Sequence, residues 1–304
     1  VESLIFFYSV LKDYHFITDF NPSIFALLSK KVLIQIHDIS WEKKIFARHN
    51  SFFYKIFKFF IKYYSNILTV SKTSMKEIKK VSGRKKIVYY LYNSVSENYI
   101  KESNKIGKEK FFVNKDNTSK MLNKSLPNIL YIATLIPRKC HLDLLEALSK
   151  TESILNVNLV GLPIDKKILE FIQTKKTSSG NIIKSNINYF PKLSQRELCN
   201  LLIYSSAYIS TSLNEGFGIP VLEAKLYKVP LIIRDIDINR ELFPEATFFE
   251  STSQLAKLLN ELKSIPKLQI DNRKKIASNI NEDNIIDLFN YSNLSNELKN
   301  IILN

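Results

Sequence analysis

Asn214-Glu215-Gly216-Phe217-Gly218-Ile219-Pro220-Val221-Leu222-Glu223-Ala224 sets two carboxylates eight residues apart, with two glycines and a proline between them. Before it, Ala207-Tyr-Ile-Ser-Thr-Ser212 is an apolar run of the kind a buried strand leaves in a sequence. After it, Val221-Leu-Glu-Ala-Lys-Leu-Tyr227 reads as a helix. Pro220 suits the first turn of that helix, where a missing N–H costs no intrahelical bond. Gly216 and Gly218 allow the backbone to come close to a ligand. The unpaired N–H groups of a helix start attract anions. One carboxylate therefore stands in the loop at the helix mouth and the other one turn inside. Phosphates on the helix start and hydroxyls on the carboxylates would suit a sugar nucleotide.

The rest of the chain is organised to carry such a site. Its 304 residues suit two domains of ordinary size, and 45% hydrophobic content is ample for two cores. Strand-like runs at His15–Asp19, Val32–Ile36, Ile67–Val70 and Lys86–Leu91 alternate with helical stretches at Ser3–Lys12, Pro22–Ser29 and 43–64. Strands separated by helices imply a parallel sheet covered on both faces. Lys101–Asn128 is polar and lysine-rich and reads as the interdomain connection. The expected division is a first domain over 1–113, a linker over 114–127, a second domain over 128–282, and a C-terminal helix over 283–304 that returns to the first domain.

Two cysteines, Cys140 and Cys199, make neither a disulfide framework nor a metal-ligand cluster. No apolar run reaches the ~20 residues a spanning helix needs, and no signal-peptide pattern opens the sequence. A cytoplasmic protein, peripheral on the inner face of a membrane, is the expectation.

The net charge of +15 is unevenly spread. Residues 1–124 hold 23 basic and 10 acidic residues, a surplus of 13, whereas the remainder carries a surplus of 2. An anionic partner of the first half follows from that asymmetry. Lys55, Lys58 and Lys62 recur at i, i+3, i+7 within the aromatic run Phe52–Tyr64 and share one helical face. A basic-aromatic helix of this kind suits an anionic membrane surface; the same pattern also fits a helix packed on the sheet with a solvated lysine face. Nucleic acid is not expected, because the other lysines are scattered and no binding motif accompanies them.

The 214–224 stretch resembles the Glu-x7-Glu motif of the family-4 (group 1) retaining glycosyltransferases of GT-B fold. The likeness covers roughly residues 15–250. Asn128–Thr134 resembles the family's strand before a basic pair, here Arg138-Lys139, and His141–Leu148 its following helix. Val157–Gly161, Ile187–Leu193, Glu197-Leu198, Val229–Ile233 and Arg240-Glu241 follow in the family's order. The resemblance implies two Rossmann-like α/β domains. It implies transfer of a hexose from a nucleotide-diphosphate sugar to a glycan or lipid-linked acceptor, with retention of anomeric configuration. The acceptor and the work of such enzymes would lie in envelope or surface polysaccharide assembly.

It also implies roles. Arg138 and Lys139 would grip the diphosphate, with Gly216, Phe217, Gly218 and Ile219 forming the donor loop and helix start. Glu215 would hold the sugar hydroxyls near the reacting carbon, and Glu223 the ribose hydroxyls. Leu193 would lie beside the nucleobase. His37, at a strand end beside Asp38, would position sugar or acceptor; a hydrogen-bonded structural histidine is the alternative. Positive groups aimed at the leaving phosphate make a divalent metal unnecessary, and no cofactor is expected.

Two departures from the family pattern stand out. No glycine precedes Gly83, whereas GT-B proteins begin with a strand and a glycine-bearing loop. The first domain is therefore expected to lack one or two strand-helix units, about 30 to 60 residues at ~30 per unit. Ala133 and Cys140 also stand where glycines are common around the basic pair. A non-catalytic remnant that binds a membrane surface or a partner is the competing reading, and donor turnover separates the two.

Overall fold

The computed structural model describes residues 16–19, 32–37, 58–64, 66–83, 88–108, 122–123 and 125–281. They fall into two compact units. One holds the described residues up to Asn93 together with Glu215–Phe217, and the other holds the rest from Ser94. The expected helices at 3–12, 22–29 and 283–304 lie outside the described residues, as does Lys55.

The first unit is built on a parallel four-stranded sheet of β1 (Phe16–Asp19), β2 (Val32–Ile36), β3 (Asn66–Thr69) and β4 (Val88–Tyr90), in that spatial order. Helix α1 (Lys72–Ser82) starts at Ser71, whose hydroxyl accepts from the Ser74 amide at 3.0 Å, and ends at Gly83 in the left-handed conformation. That cap satisfies one amide which the first helical turn leaves without a partner. Residues 58–63 are helical. Phe60, Ile61 and Tyr64 are buried with Ile34, Ile36, Ile67, Ile78 and Val88, while Lys58, Phe59, Lys62 and Tyr63 face outward.

The second unit holds a parallel six-stranded sheet. Its strands are β5 (Asn128–Ile132), β6 (Asn156–Val160), β7 (Asn186–Phe190), β8 (Ala207–Ser210), β9 (Leu231–Arg234) and β10 (Thr247–Phe249). Their spatial order is β10-β9-β8-β5-β6-β7. The order reverses beside β5, the strand from which the chain runs outward in both directions, as in doubly wound nucleotide-binding sheets. The helices that follow these strands are α3 (His141–Ser149), α4 (Lys166–Thr174), α5 (Gln195–Tyr204), α6 (Ile219–Leu226), α7 (Asp237–Leu242) and α8 (Thr252–Asn260). Their starts follow local chemistry. Asp165 caps α4, and Ser194 with Glu197 forms a reciprocal capping box on α5. Strands β8 and β9 are buried along their whole length, which is why Ala207–Ile209 and Leu231–Ile233 appear in the sequence as apolar runs.

One expectation is corrected. Lys101–Asn128 is not all connection: α2 (Glu97–Lys108) occupies its start and packs against α5 and α9 (Lys267–Ala277) in the second unit. Tyr99, Ser103 and Ile106 repeat at helical spacing and are buried, while the charges between them face solvent. Gly107 lets the two helices touch. A Cβ there would come within 2.2 Å of the Ser278 amide nitrogen and 2.6 Å of the Lys274 carbonyl. Arg273 is buried beneath the same junction and donates to the carbonyl oxygens of Ser205 (2.5 Å), Ile203 (3.2 Å) and Lys228 (3.5 Å). It thereby neutralises the C-terminal ends of α5 and α6, where helix carbonyls lack partners.

Candidate functional site

In open parallel sheets, ligands bind outside the carboxyl ends of the strands. The residues that follow β5, β8 and β9 meet there in this protein. After β5 the chain passes through Leu135 into a tight 3₁₀ turn, Pro137–Lys139, and then α3. Cys140 joins turn to helix at φ +50°, the left-handed conformation that a glycine would take at no steric cost. After β8 comes the loop Thr211–Gly218, then α6.

The basic turn is built onto that loop. The Arg138 guanidinium donates to the Asn214 carbonyl oxygen at 3.0 Å, and the Leu213 amide donates to the Arg138 carbonyl oxygen at 3.0 Å. The Thr211 hydroxyl lies 2.8 Å from the Cys140 carbonyl oxygen and 3.0 Å from that of Lys139. The Tyr131 hydroxyl, on β5, donates to the Lys139 carbonyl at 2.6 Å. The acceptors of the turn are thus bound by β5 and the β8 loop.

At the mouth of α6, Gly218 adopts φ +86° and its carbonyl accepts from the Val221 and Leu222 amides at 2.9 and 3.1 Å. Pro220 follows in the first turn. With Val221 and Leu222 bonded internally and Pro220 lacking an N–H, the donors left for an anion are the amides of Gly218 and Ile219.

Glu223 sits one turn into α6 and is largely buried; desolvation raises its pKa from 4.5 to about 7. The backbone carbonyl of Glu223 accepts from the Tyr99 hydroxyl at 3.2 Å, and the Tyr99 ring meets Tyr227 edge-on at 6.1 Å. Tyr227 in turn shares a 2.7 Å hydrogen bond with Ser103. Helix α2 therefore supplies part of the low-dielectric surroundings of this carboxyl.

Of the other expected site residues, Glu215 follows Asn214 directly in the loop and is partly buried, as are Gly216 and Gly218. Phe217 is buried and Ile219 is 40% exposed. Leu193 is partly buried in the turn between β7 and α5. His37 is exposed immediately after β2 in the first unit. Lys58 and Lys62 are exposed on their helix. Arg138 is in hydrogen-bonded contact with Leu213 and Asn214 of the motif loop, and the Lys139 carbonyl with Thr211 just before it.

Three residues around the turn carry no conspicuous motif. Thr211 and Ser212 tie the loop to the turn; the Ser212 hydroxyl lies 3.0 Å from the Asn214 carbonyl oxygen. Arg234, at the end of β9, donates from Nε to the Thr211 carbonyl at 2.8 Å and forms an ion pair with Asp143 in the first turn of α3. Its guanidinium also lies over the Phe249 ring at 5.3 Å. The available sequence signal was a charge closing the apolar run Leu231–Ile233, at the strand end where ligand sites form. Beside the turn, His141 is buried and stacked on Tyr131 at 4.8 Å, and burial holds its pKa down at about 4, so its ring is neutral near pH 7.

Among the described residues, no helix is long and apolar enough to cross a membrane. The model of the family described as "Glycosyl transferases group 1" matches residues 113–283, more than half of the chain. The serotype-specific mannosyltransferase WbdA of Escherichia coli is 28% identical over 144 residues, which are 44% of this chain and 17% of that protein. The chain thus spans about a sixth of the length of that relative. Among solved structures, Anabaena HepE in complex with UDP and glucose superposes with a TM-score of 0.64 at 14% identity, covering 88% of this chain and 71% of the other. Sucrose-phosphate synthase of Thermosynechococcus elongatus superposes with a TM-score of 0.66 at 14% identity, covering 98% and 75%. With its parallel α/β units and the match across residues 113–283, this protein belongs to the group 1 glycosyl transferases and has the GT-B fold.

Proposed function

We propose that the protein transfers a hexose from a nucleotide-diphosphate sugar to a glycan or lipid-linked acceptor, with retention of anomeric configuration. The observation that carries this reading is the hydrogen-bonded union of the Arg138-Lys139 turn with the loop of the two glutamates, across 76 residues of sequence. In this reading the diphosphate lies against Arg138, Lys139 and the Gly218 and Ile219 amides. Glu223 accepts from the ribose hydroxyls, Glu215 from the sugar, and Leu193 borders the base. His37 positions the sugar or the acceptor.

The reaction breaks the anomeric C–O bond to the diphosphate and forms a bond to the acceptor oxygen on the same face. The acceptor proton passes to the departing phosphate oxygen. Negative charge grows on that phosphate, and fixed donors aimed at it are worth about 3–4 kcal/mol each. Arg138 and Lys139 supply that positive charge, so the proposed reaction uses no divalent metal. The mannosyltransferase relative supports a hexose donor.

An anionic membrane is the proposed location of the acceptor, with the protein on the cytoplasmic face. Lys58 and Lys62 share an exposed helix face with Phe59 and Tyr63, which are 52% and 49% exposed and whose tilted rings lie 4.6 Å apart. Basic and aromatic side chains on one face suit a headgroup region.

The test is a panel of UDP-, GDP- and ADP-sugars, read first as thermal stabilisation and then as transfer. A donor at 100 times its Kd adds about 2.7 kcal/mol to stability. NMR of the product gives its anomeric configuration. A panel in which nothing stabilises the protein overturns donor binding. Binding without transfer to any glycan or lipid-linked acceptor favours a non-catalytic remnant, and an inverted product refutes retention.

A further inference from the structure

The Arg138-Lys139 turn is a short, irregular piece of backbone whose shape has to be held by something outside it. Within it, the Lys139 amide donates to the Ile136 carbonyl and the Cys140 amide to that of Pro137, each at 3.0 Å. Cys140 leaves it in a left-handed conformation that costs a non-glycine residue about 1–2 kcal/mol. Arg234 reaches this turn by two routes. Through Nε it holds the Thr211 carbonyl, and the Thr211 hydroxyl lies on the Lys139 and Cys140 carbonyls. Through its ion pair it holds Asp143, which sits in the turn of helix that Cys140 opens.

The arrangement is well buried on the arginine side. The Arg234 side chain is 10% exposed and that of Asp143 is 37% exposed. A guanidinium in such a place needs its donors used, because an unpaired buried charge is costly. It also needs its fork: a lysine offers a single point charge and cannot serve a carbonyl and a carboxylate in two fixed directions. The Phe249 ring under the guanidinium further limits its orientation.

We propose that Arg234, acting through Asp143 and Thr211, is a positioning residue that holds the Arg138-Lys139 turn in the shape that grips the donor diphosphate. The inference rests on the donor reading of that turn. Arg234 touches no substrate in this account. It fixes β9, the β8 loop and the start of α3 to one another, so that two cations at the sheet edge are aimed before the donor arrives. Preorganisation of this kind matters because small misplacements of a binding group lose large factors in rate or affinity.

The test uses the whole chain and titrates UDP, GDP and ADP, carrying forward the one that binds tightest together with its nucleoside. Arg234→Met, Arg234→Lys and Asp143→Asn are each expected to weaken the diphosphate by about tenfold, within the range misplacement produces. The nucleoside, measured by NMR titration, is expected to keep its affinity, since the base and ribose contacts lie elsewhere. The double variant of Arg234→Met and Asp143→Asn should lose no more than Arg234→Met alone. Hydrogen exchange without ligand should quicken in 137–140 and 211–214 and stay unchanged in β5 and β6.

Unchanged diphosphate affinity in all three single variants, or equal losses for diphosphate and nucleoside, would overturn the proposal. Failure of the parent protein to bind any of the three diphosphates would instead overturn the donor reading itself, and this inference with it. A variant that unfolds is replaced by Asp143→Asn, whose exposed carboxylate is the milder change, with exchange at 137–140 as the deciding readout.

Discussion

Arg138 and Asn214 hold each other's strand ends together: the guanidinium of the first donates to the carbonyl of the second at 3.0 Å. The residue before Asn214 returns the bond, from the Leu213 amide to the Arg138 carbonyl. The cation proposed to meet the diphosphate is thus also a strut of the loop that carries the glutamates. Its two roles make its removal costlier than the loss of one phosphate contact.

Arg138→Ala should therefore weaken nucleoside diphosphate binding more than Lys139→Ala. A hydrogen bond to a charged group is worth about 1.5–3 kcal/mol, which is roughly 10- to 150-fold in Kd for Arg138. Lys139→Ala should fall at the low end of that range. Calorimetry with the free diphosphate measures both. Parent-like affinity in the two variants would remove the turn from the site.

Glu223 gives the site a pH dependence with a definite sign. The folded protein holds this carboxyl proton more tightly than the unfolded chain does, because burial raises its pKa from 4.5 to about 7. The cost of burying the charge is absent below about pH 4.5 and reaches its full size above about pH 7, at most about 3 kcal/mol. Glu223→Gln should then raise the Tm at pH 8 and leave it unchanged at pH 4.5. The ribose hydroxyls need the ionised acceptor, so parent nucleotide affinity should fall between pH 8 and pH 6, and the variant should bind weakly at both. A parent affinity that is flat across that window would show that the carboxyl does not meet the ligand.

Much of the second unit could be read before its structure, and the reason is physical. Strands buried on both faces, such as β9, leave apolar runs like Leu231–Ile233, and the glycine-proline joint at 216–220 marks a strand-to-helix turn on its own. What escaped were relations between distant residues. Arg234 and Asp143 are 91 positions apart, and nothing in either neighbourhood names the other. Helix α2 gives a weak signal in the sequence because its buried face has a serine at its centre, so that its apolar pattern is carried by Tyr99 and Ile106 alone. Its burial depends on Tyr227 and on the α9 backbone, which lie more than 120 residues downstream. Cys140 stands out in the sequence as a departure from glycine, but its left-handed conformation is a property of the folded turn.

That conformation makes Cys140→Gly a stabilising change. The left-handed backbone at φ +50° costs a side-chain-bearing residue about 1–2 kcal/mol, partly offset by the greater freedom of glycine in the unfolded chain. The lost sulfur contacts, 3.4 Å to the Pro137 carbonyl and 3.7 Å to that of Arg138, are weak. A net gain of about 0.5–1 kcal/mol is expected, read as a higher denaturant midpoint with an unchanged m-value. In the parent, burial and Asp143 push the thiol up to about 11, so alkylation by iodoacetamide at pH 8 should be slow. Rapid labelling at Cys140 would contradict the geometry of the turn.

Gly107→Ala should separate α2 from α9. The added methyl would lie 2.2 Å from the Ser278 amide nitrogen and 2.6 Å from the Lys274 carbonyl, both backbone atoms that cannot turn aside. Overpacking of this severity costs about 1–3 kcal/mol. Because Tyr99 and Ser103 on α2 reach Glu223 and Tyr227, the same change should let water in beside Glu223 and lower its pKa toward 4.5. Chemical denaturation gives the first effect, and the pH midpoint of nucleotide binding gives the second. A fully stable variant would mean that the two helices do not approach as closely as described.

The outward face of residues 58–63 makes the membrane proposal measurable. Lys58 and Lys62 are exposed beside Phe59 and Tyr63, whereas Phe60, Ile61 and Tyr64 are committed to the core of the first unit. Each lysine near an anionic surface is worth about 1 kcal/mol. The pair Lys58→Gln and Lys62→Gln should therefore weaken binding to vesicles containing phosphatidylglycerol by roughly 30-fold, the equivalent of about 2 kcal/mol. Phe59→Ser with Tyr63→Ser should weaken it as well, but with less dependence on salt, because insertion of rings is not screened as charge is. Both pairs avoid the buried side of the helix, so the Tm should stay within about 2 °C, as expected for surface changes. Sedimentation with vesicles of phosphatidylglycerol and of phosphatidylcholine provides the comparison. Equal binding to the two lipids, or none to either, would assign this helix to packing on the sheet with a solvated lysine face.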